Sequence, residues 1–283
     1  MVATLAGMDV AEPVDPYLAE VEAWHAARDA RLRSPDGWVA LSALHWLQPG
    51  PWLVGSDASN DLVLAGDGVP ARLGRLDVGW HRALLVAETG VTVDGATVTE
   101  VELEPDVPGP PTVFTVGSLT AHLIVRGDRM GLRVRDSHAP ALNEFTGIRR
   151  YPVDPAWRVT GRLVPSPGRT LTVPDIIGIA TETESPGTLV LPLPGGEQRL
   201  DALDGGDGTL WLIFGDATNG GDTYHGGRFL YTEPVQLDGS VVADFNLAYN
   251  PPCVFTPYAT CPLPWPANRL PVPVLAGEKV PPA

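Results

Sequence analysis

Between Asp15 and Arg33 apolar and polar positions alternate at helical spacing, and almost everywhere after that they alternate at strand spacing. Asp15 and Pro16 read as an N-cap and a first-turn proline. Leu18, Val21, Trp24, Ala27 and Ala30 or Leu32 then recur every three or four residues, which predicts one helix over residues 16–33. Its other face carries Glu20, Glu22, Arg28, Asp29, Arg31 and Arg33, so the apolar stripe should pack on a sheet while the charged face meets solvent. Ser34-Pro35-Asp36-Gly37 ends it in a turn.

The rest reads as short strands between turn residues. In the first half they are Trp52–Val54, Leu62–Leu64, Ala83–Ala87, Val91–Val93, Ala96–Val98, Leu119–Val125 and Gly131–Val134. Later runs are Trp157–Val164, Thr170–Val173, Gly187–Leu191, Gln198–Leu203, Thr209–Phe214, Arg228–Thr232 and Val241–Phe245. Asp94-Gly95 and the tight stretch Arg126–Arg129 predict hairpins. The fold class that follows is mainly β. An N-terminal helix and a small sandwich-like sheet (residues 16–107) precede a larger antiparallel sandwich or partly closed barrel (residues 112–283). Val107-Pro108-Gly109-Pro110-Pro111 is the boundary that composition suggests, and residues 1–15 are expected to be a flexible terminus.

From Asn250 onward prolines are too frequent for a central strand. The same stretch carries Phe255, Tyr258, Leu263, Trp265 and Leu270, which are costly to leave in water, so the tail should wrap the core in extended form. Hydrophobic residues make up 44% of the 283 positions and charged ones 19%, enough apolar material for the chain to fold alone. The net charge of -15 repels phosphate backbones and anionic lipid, so neither nucleic acid nor membrane is an expected partner. No basic stretch leads into an apolar core at the N-terminus and no apolar run is long enough to span a bilayer, which points to the cytoplasm. Cys253 and Cys261 are the only thiols and read as reduced and partly buried.

Several segments together resemble a known family: Ser34–Trp38, Leu44–Leu47, Gly55–Asp57 with Asn60-Asp61, Arg126–Arg129, Gly147–Pro152, and Asn246–Cys253 through Cys261. It is the uncharacterised bacterial domain-of-unknown-function family numbered sixteen eighty-four, and the likeness runs from Pro16 to Lys279. It implies no reaction. In the N-terminal half, Gly55-Ser56, Asn60–Leu64 and Val91–Val98 look like part of a forkhead-associated β-sandwich. The arginine, serine and histidine with which that family reads phosphothreonine have no clear match between Pro70 and His81, so the resemblance implies the sandwich without that function.

Two clusters carry candidate chemistry. Arg126, Arg129, Arg133, Arg135, Arg149 and Arg150 are six of the chain's 19 basic residues. Guanidinium forks suit a carboxylate or phosphate, and positions 133 and 135 of a strand share a face. The competing reading pairs these arginines with Asp128, Asp136, Glu144 and Asp154. The second cluster, Asp222 to Cys261, holds His225 between glycine pairs, with Arg228, Asp244, Asn246, Tyr249, Asn250 and Tyr258. The expectation is a pocket for a small anionic organic molecule in the C-terminal half. Arg126, Arg129, Arg149, Arg150, Arg228, Asp244 and Asn246 would hold the ligand. In a metal-independent hydrolysis or elimination, His225 would carry the proton while Tyr258 and Asn250 orient the substrate. The rival is a non-catalytic protein-binding module presenting Ser56–Asp61. No metal and no cofactor is expected: the cysteine spacing lacks a second ligand pair, and no nucleophile elbow, phosphate loop or dinucleotide fingerprint occurs.

Overall fold

A computed structural model describes residues 15–281; the expected flexible terminus lies outside the described residues apart from Asp15. Helix α1 (Pro16–Arg33) starts where the side chain of Asp15 accepts the amide of Tyr17 at 2.9 Å. Its buried positions are Val21, Arg28 and Leu32, whereas Ala27 and Ala30 of the expected stripe are exposed. Arg28, assigned to the solvent face by its charge, is buried because Glu278 waits beneath it at 3.1 Å. Spacing alone could not reveal a carboxylate brought in from the far end of the chain.

The strands form two sheets. The first contains β1 (Leu41–Leu47), β2 (Gly50–Gly55), β3 (Leu62–Val63), β4 (Gly74–Val78), β5 (Ala83–Val93), β6 (Ala96–Leu103), β7 (Phe114–Val116), β8 (Leu119–Arg126) and β9 (Arg129–Asp136). They pair in the order β1-β9-β8-β7-β5-β4-β2-β3, with β6 on β5, and the sheet curls almost into a barrel. The second contains β10 (Arg158–Pro174), β11 (Ala180–Leu193), β12 (Gly196–Gly206), β13 (Thr209–Phe214), β14 (Arg228–Tyr231) and β15 (Ser240–Asp244), in the order β14-β13-β12-β11-β10-β15. A one-turn helix α2 (Pro140–Glu144) lies on the connection between the sheets.

Both hairpins form where the turn residues put them. Asp94 and Gly95 take φ of 49° and 80°, the left-handed pair a two-residue turn favours. Gly127 takes φ of 58° at the tip of β8–β9, where Arg126 pairs with Arg129. The boundary at Val107–Pro111 does not separate the sheets, because β7, β8 and β9 return to the first one and close its curl. The proline run is a loop within that sheet. Nor does α1 bond to the first sheet: Tyr17, His25 and Arg28 make hydrogen bonds to Asp244, Asn246, Asn250 and Glu278.

Each sheet encloses its own core. Leu47, Val54, Leu62, Leu76, Leu85, Leu103, Phe114, Leu123 and Leu132 fill the first, and Leu189, Leu191, Leu200, Leu212, Phe214, Val241 and Phe245 the second. The tail lies against the second sheet as expected, burying Cys261, Trp265, Leu270, Val274 and Ala276. Its backbone bridges to Asp175 and Gly215 on the way. Among the described residues, no helix is long and apolar enough to cross a membrane.

Strands β8 and β9 position the site. Their alternation sends Ala121, Leu123, Leu132 and Val134 into the first core, which turns His122, Arg126, Arg133 and Arg135 to the opposite face. That face would be solvated in an isolated barrel. Here the second half covers part of it, and Arg133 keeps only 5% of its surface in solvent.

Candidate functional site, a cleft between the two sheets

One cavity, of about 260 Å³, is lined by Arg126 and Arg133 from the first sheet, Trp211 and Phe229 from the second, Tyr249 and Cys261 from the tail region, and Arg28 and Trp38. A neighbouring cavity of about 520 Å³ shares Arg28, Trp38 and Tyr249 and continues along α1 past Trp24 and Tyr231. Together they make one cleft whose walls come from both halves of the chain.

The cationic groups of this cleft differ in how they are held. Arg28 pairs with Glu278, donates to the carbonyl of Asn250 at 3.0 Å, and lies 4.9 Å over the ring of Tyr249. Arg126 pairs with Asp106 at 2.9 Å and donates from Nε to Thr260 at 3.0 Å. Arg133 has no such partner. Its Nε is buried without a hydrogen bond, and its guanidinium faces the ring of Trp38 at 5.3 Å. Arg135, one turn of the pleat further on, likewise leaves its Nε unbonded and lies 5.7 Å from the same ring. Burial, with Arg126 and Arg135 nearby, pulls Arg133 down to about 10, and burial beside Arg135 and Arg133 pulls His122 down to about 4. Asp106, already paired with Arg126, and Asp36 act on this face without pairing directly with Arg133 or Arg135, so these two arginines have no carboxylate within salt-bridge distance in a protein of net charge -15.

On the second sheet, Trp211 and Tyr231 stand opposite each other in the β13–β14 register. Their rings lie 14° from parallel with centroids 6.0 Å apart, and Tyr231 and Tyr249 follow at 9° and 6.2 Å. Burial pushes the Tyr249 phenol well above its ordinary range. Cys261 accepts the backbone amide of Cys253 at 3.2 Å. The two thiols interact: the bond from Cys261 lowers Cys253, while Cys253 and burial raise Cys261. Among the described residues, no group of three or more His, Cys, Asp or Glu is arranged to hold a metal.

Of the residues singled out from the sequence, Arg126 lines this cleft, and Arg133 of the same cluster lines it too. Tyr249 and Cys261 of the second cluster line it as well, and the residues assigned binding or catalytic roles other than Arg126 are placed elsewhere. Arg129 packs 3.9 Å over Trp46 at the end of the first sheet, and Arg149 is exposed. Arg150 pairs with Asp29, not with the nearby acids of its own segment. Arg228 is fully buried, pairing with Asp216 at 2.9 Å and donating to the carbonyls of Val274 and Ala276. Asp244 accepts the Tyr17 hydroxyl, and Asn246 joins Tyr17, Asp154 and Asp244. Asn250 is buried, its amide donating to Glu278 and its side chain to the carbonyl of Lys279. His225 is exposed and packs on Tyr224, and Tyr258 sits in an exposed turn. None of His225, Tyr258 and Asn250 lines the cleft. Trp38, Trp211 and Tyr231 were missed as site residues. The one local hint was Trp38, which ends a turn motif already quoted for its family likeness.

Residues 143–279 match the model of a family described as a protein of unknown function, DUF1684. This part of the chain is similar to that family. The matched stretch begins after β9, so it contains Trp211, Tyr231, Tyr249 and Cys261 but not the arginine face, and it is shorter than the span of motifs suggested. A similar solved structure is the solution NMR structure of an uncharacterized protein of Haloarcula marismortui, 30% identical. The match covers 50% of this chain and 80% of that one, with a TM-score of 0.42. No curated protein matches this chain.

Proposed function

We propose that this protein binds a small organic anion in the cleft between its sheets, with Arg133 and Arg126 holding the carboxylate or phosphate. The observation that carries the reading is Arg133: a guanidinium buried to 5% exposure, without a carboxylate or a bonded Nε, beside two further arginines. A buried charge normally has a partner, because leaving water uncompensated costs several kcal/mol, about 3 to 5 when one half of a buried pair is missing. A bound anion supplies that partner. Arg28 and Arg126 already have protein carboxylates, whereas Arg133 and its neighbour Arg135 have none within salt-bridge distance, and of these two only Arg133 lines the cleft.

Acid/base hydrolysis or elimination, the reaction class expected from the sequence, would draw on different groups from those first chosen. Tyr249 and Cys261 line the cleft beside Asp36 and Tyr231; burial holds Tyr249 protonated at neutral pH, and the Cys253 contact with burial holds Cys261 protonated. They would serve as proton donors to a leaving group. A role for His225 would require a ligand extending to an exposed loop outside the cleft. The protein-binding alternative has less support. In the Ser56–Asp61 loop, Ser56 donates to Val69, Asn60 donates to Asp57 and Ala71, and Asp61 accepts from Leu53, so these side chains are spent on backbone.

The test is calorimetric titration of the purified protein with acetate, succinate and inorganic phosphate at low ionic strength, repeated with Arg133→Met. Saturable binding lost in the variant is the expected result. Binding that survives in Arg133→Met, or none to any of the three, would overturn the assignment.

A further inference from the structure

Resting on the anion reading above, we infer that the ligand is a planar aromatic acid whose ring lies between Trp38 and the row formed by Trp211, Tyr231 and Tyr249. An anion site needs arginines only, and nothing about it calls for an aromatic row beside it.

The row has a structural origin. Trp211 and Tyr231 are register partners on β13 and β14, and Tyr249 joins them because its backbone bridges to Phe229 on the free edge of β14. Three large rings on neighbouring strands are thereby brought nearly parallel, within 14° and 9° of their neighbours. Rings in a sequestered core more often meet edge to face, as Trp157, Phe214 and Phe245 do in the second core. Here Phe229 meets Trp211 and Tyr249 edge to face, while the stacked row itself borders the cleft.

Arg28 covers the Tyr249 end of the row, and Tyr231 is its open part. Tyr231 is 48% exposed and lines the larger cavity, facing space also bordered by Trp24 and Trp38. Trp38 lines both cavities, with Arg133 at 5.3 Å from its ring, so the aromatic wall and the unpaired guanidinium belong to one surface. Arg28 adds a guanidinium over Tyr249 at 4.9 Å, in the stacked arrangement that also suits a flat conjugated ligand. The larger cavity, of about 520 Å³, is in the usual range for small-molecule sites.

The experiment titrates the full chain with 2-naphthoate, cyclohexanecarboxylate, acetate and phenyl phosphate, following heat and tryptophan fluorescence. Each favourable ring contact is worth about 0.5–1.5 kcal/mol, so 2-naphthoate should bind about tenfold tighter than cyclohexanecarboxylate and quench tryptophan emission. Tyr231→Leu, at a half-exposed position, should remove most of that preference. Equal affinity for 2-naphthoate and cyclohexanecarboxylate would overturn the inference and leave the anion reading standing. A preference that persists in Tyr231→Leu would also overturn it. Absence of binding by all four probes would overturn both. If the inference holds, the comparison of phenyl phosphate with 2-naphthoate identifies the anionic group that Arg133 prefers.

Discussion

Arg133→Met should raise the stability of the free protein while abolishing its response to organic anions. Burial and neighbouring guanidinium groups bring Arg133 down to about 10. Against an arginine in water this is a loss of about 2.5 decades of proton affinity, which at 1.36 kcal/mol per decade makes the charge cost about 3 kcal/mol in the folded state. Methionine removes that cost and fills much of the same volume. It forfeits the contact with Trp38, worth about 0.5–1 kcal/mol, so a net gain of about 2 kcal/mol is expected. In a chain of this size that is a rise of about 5 °C in melting temperature. The assay is urea unfolding and calorimetric melting of both proteins, with and without a saturating ligand. At a hundred times its Kd, the ligand should stabilise the parent protein by about 2.7 kcal/mol and the variant not at all. A loss of about 1 kcal/mol or more in the unliganded variant would refute the reasoning, because it would mean that the guanidinium is already satisfied within the protein.

Asp216→Ala strands the fully buried Arg228, and should cost about 3–5 kcal/mol in urea unfolding without altering the chemistry of the cleft. Asn246→Ala removes bonds to Tyr17, Asp154 and Asp244 at a buried position. The same unfolding assay should show a loss of about 2–3 kcal/mol, and hydrogen exchange should show α1 loosened. His122 titrates near 6.5 when unfolded and at about 4 when folded, so the unfolded chain binds the extra proton between those values. Stability should therefore fall as pH drops from 6.5 to 4, by up to about 3 kcal/mol from this group, and His122→Gln should flatten that part of the pH profile.

The sequence was enough for the helix, both hairpins, most of the strands and the wrapping tail, because each depends on short-range features. Asp15-Pro16 starts a helix wherever it is placed, and Asp94-Gly95 turns a hairpin by its own backbone preferences. Strands β1, β4 and β7 were missed: β1 reads Leu41-Ser-Ala-Leu-His-Trp-Leu47, without clean alternation, because it packs on both faces. The period of two correctly put Arg133 and Arg135 on one face. It could not say what would cover that face, and the cover comes from Trp211, Tyr249 and Cys261, more than seventy positions away.

Long-range placement also decided which charged and polar residues were already satisfied. By type alone, Arg228, Arg150 and Asn246 are as good ligand-binding candidates as Arg133. Asp216, Asp29 and Asp154 take them up only once the chain has folded. Glu278, close to the C-terminus, does the same for Arg28. Residue type and spacing thus determined the elements and the chemistry available. The tertiary structure decided which arginines of this face were left without a partner, because pairing of buried charges is settled by whatever distant group the fold brings within about 4 Å.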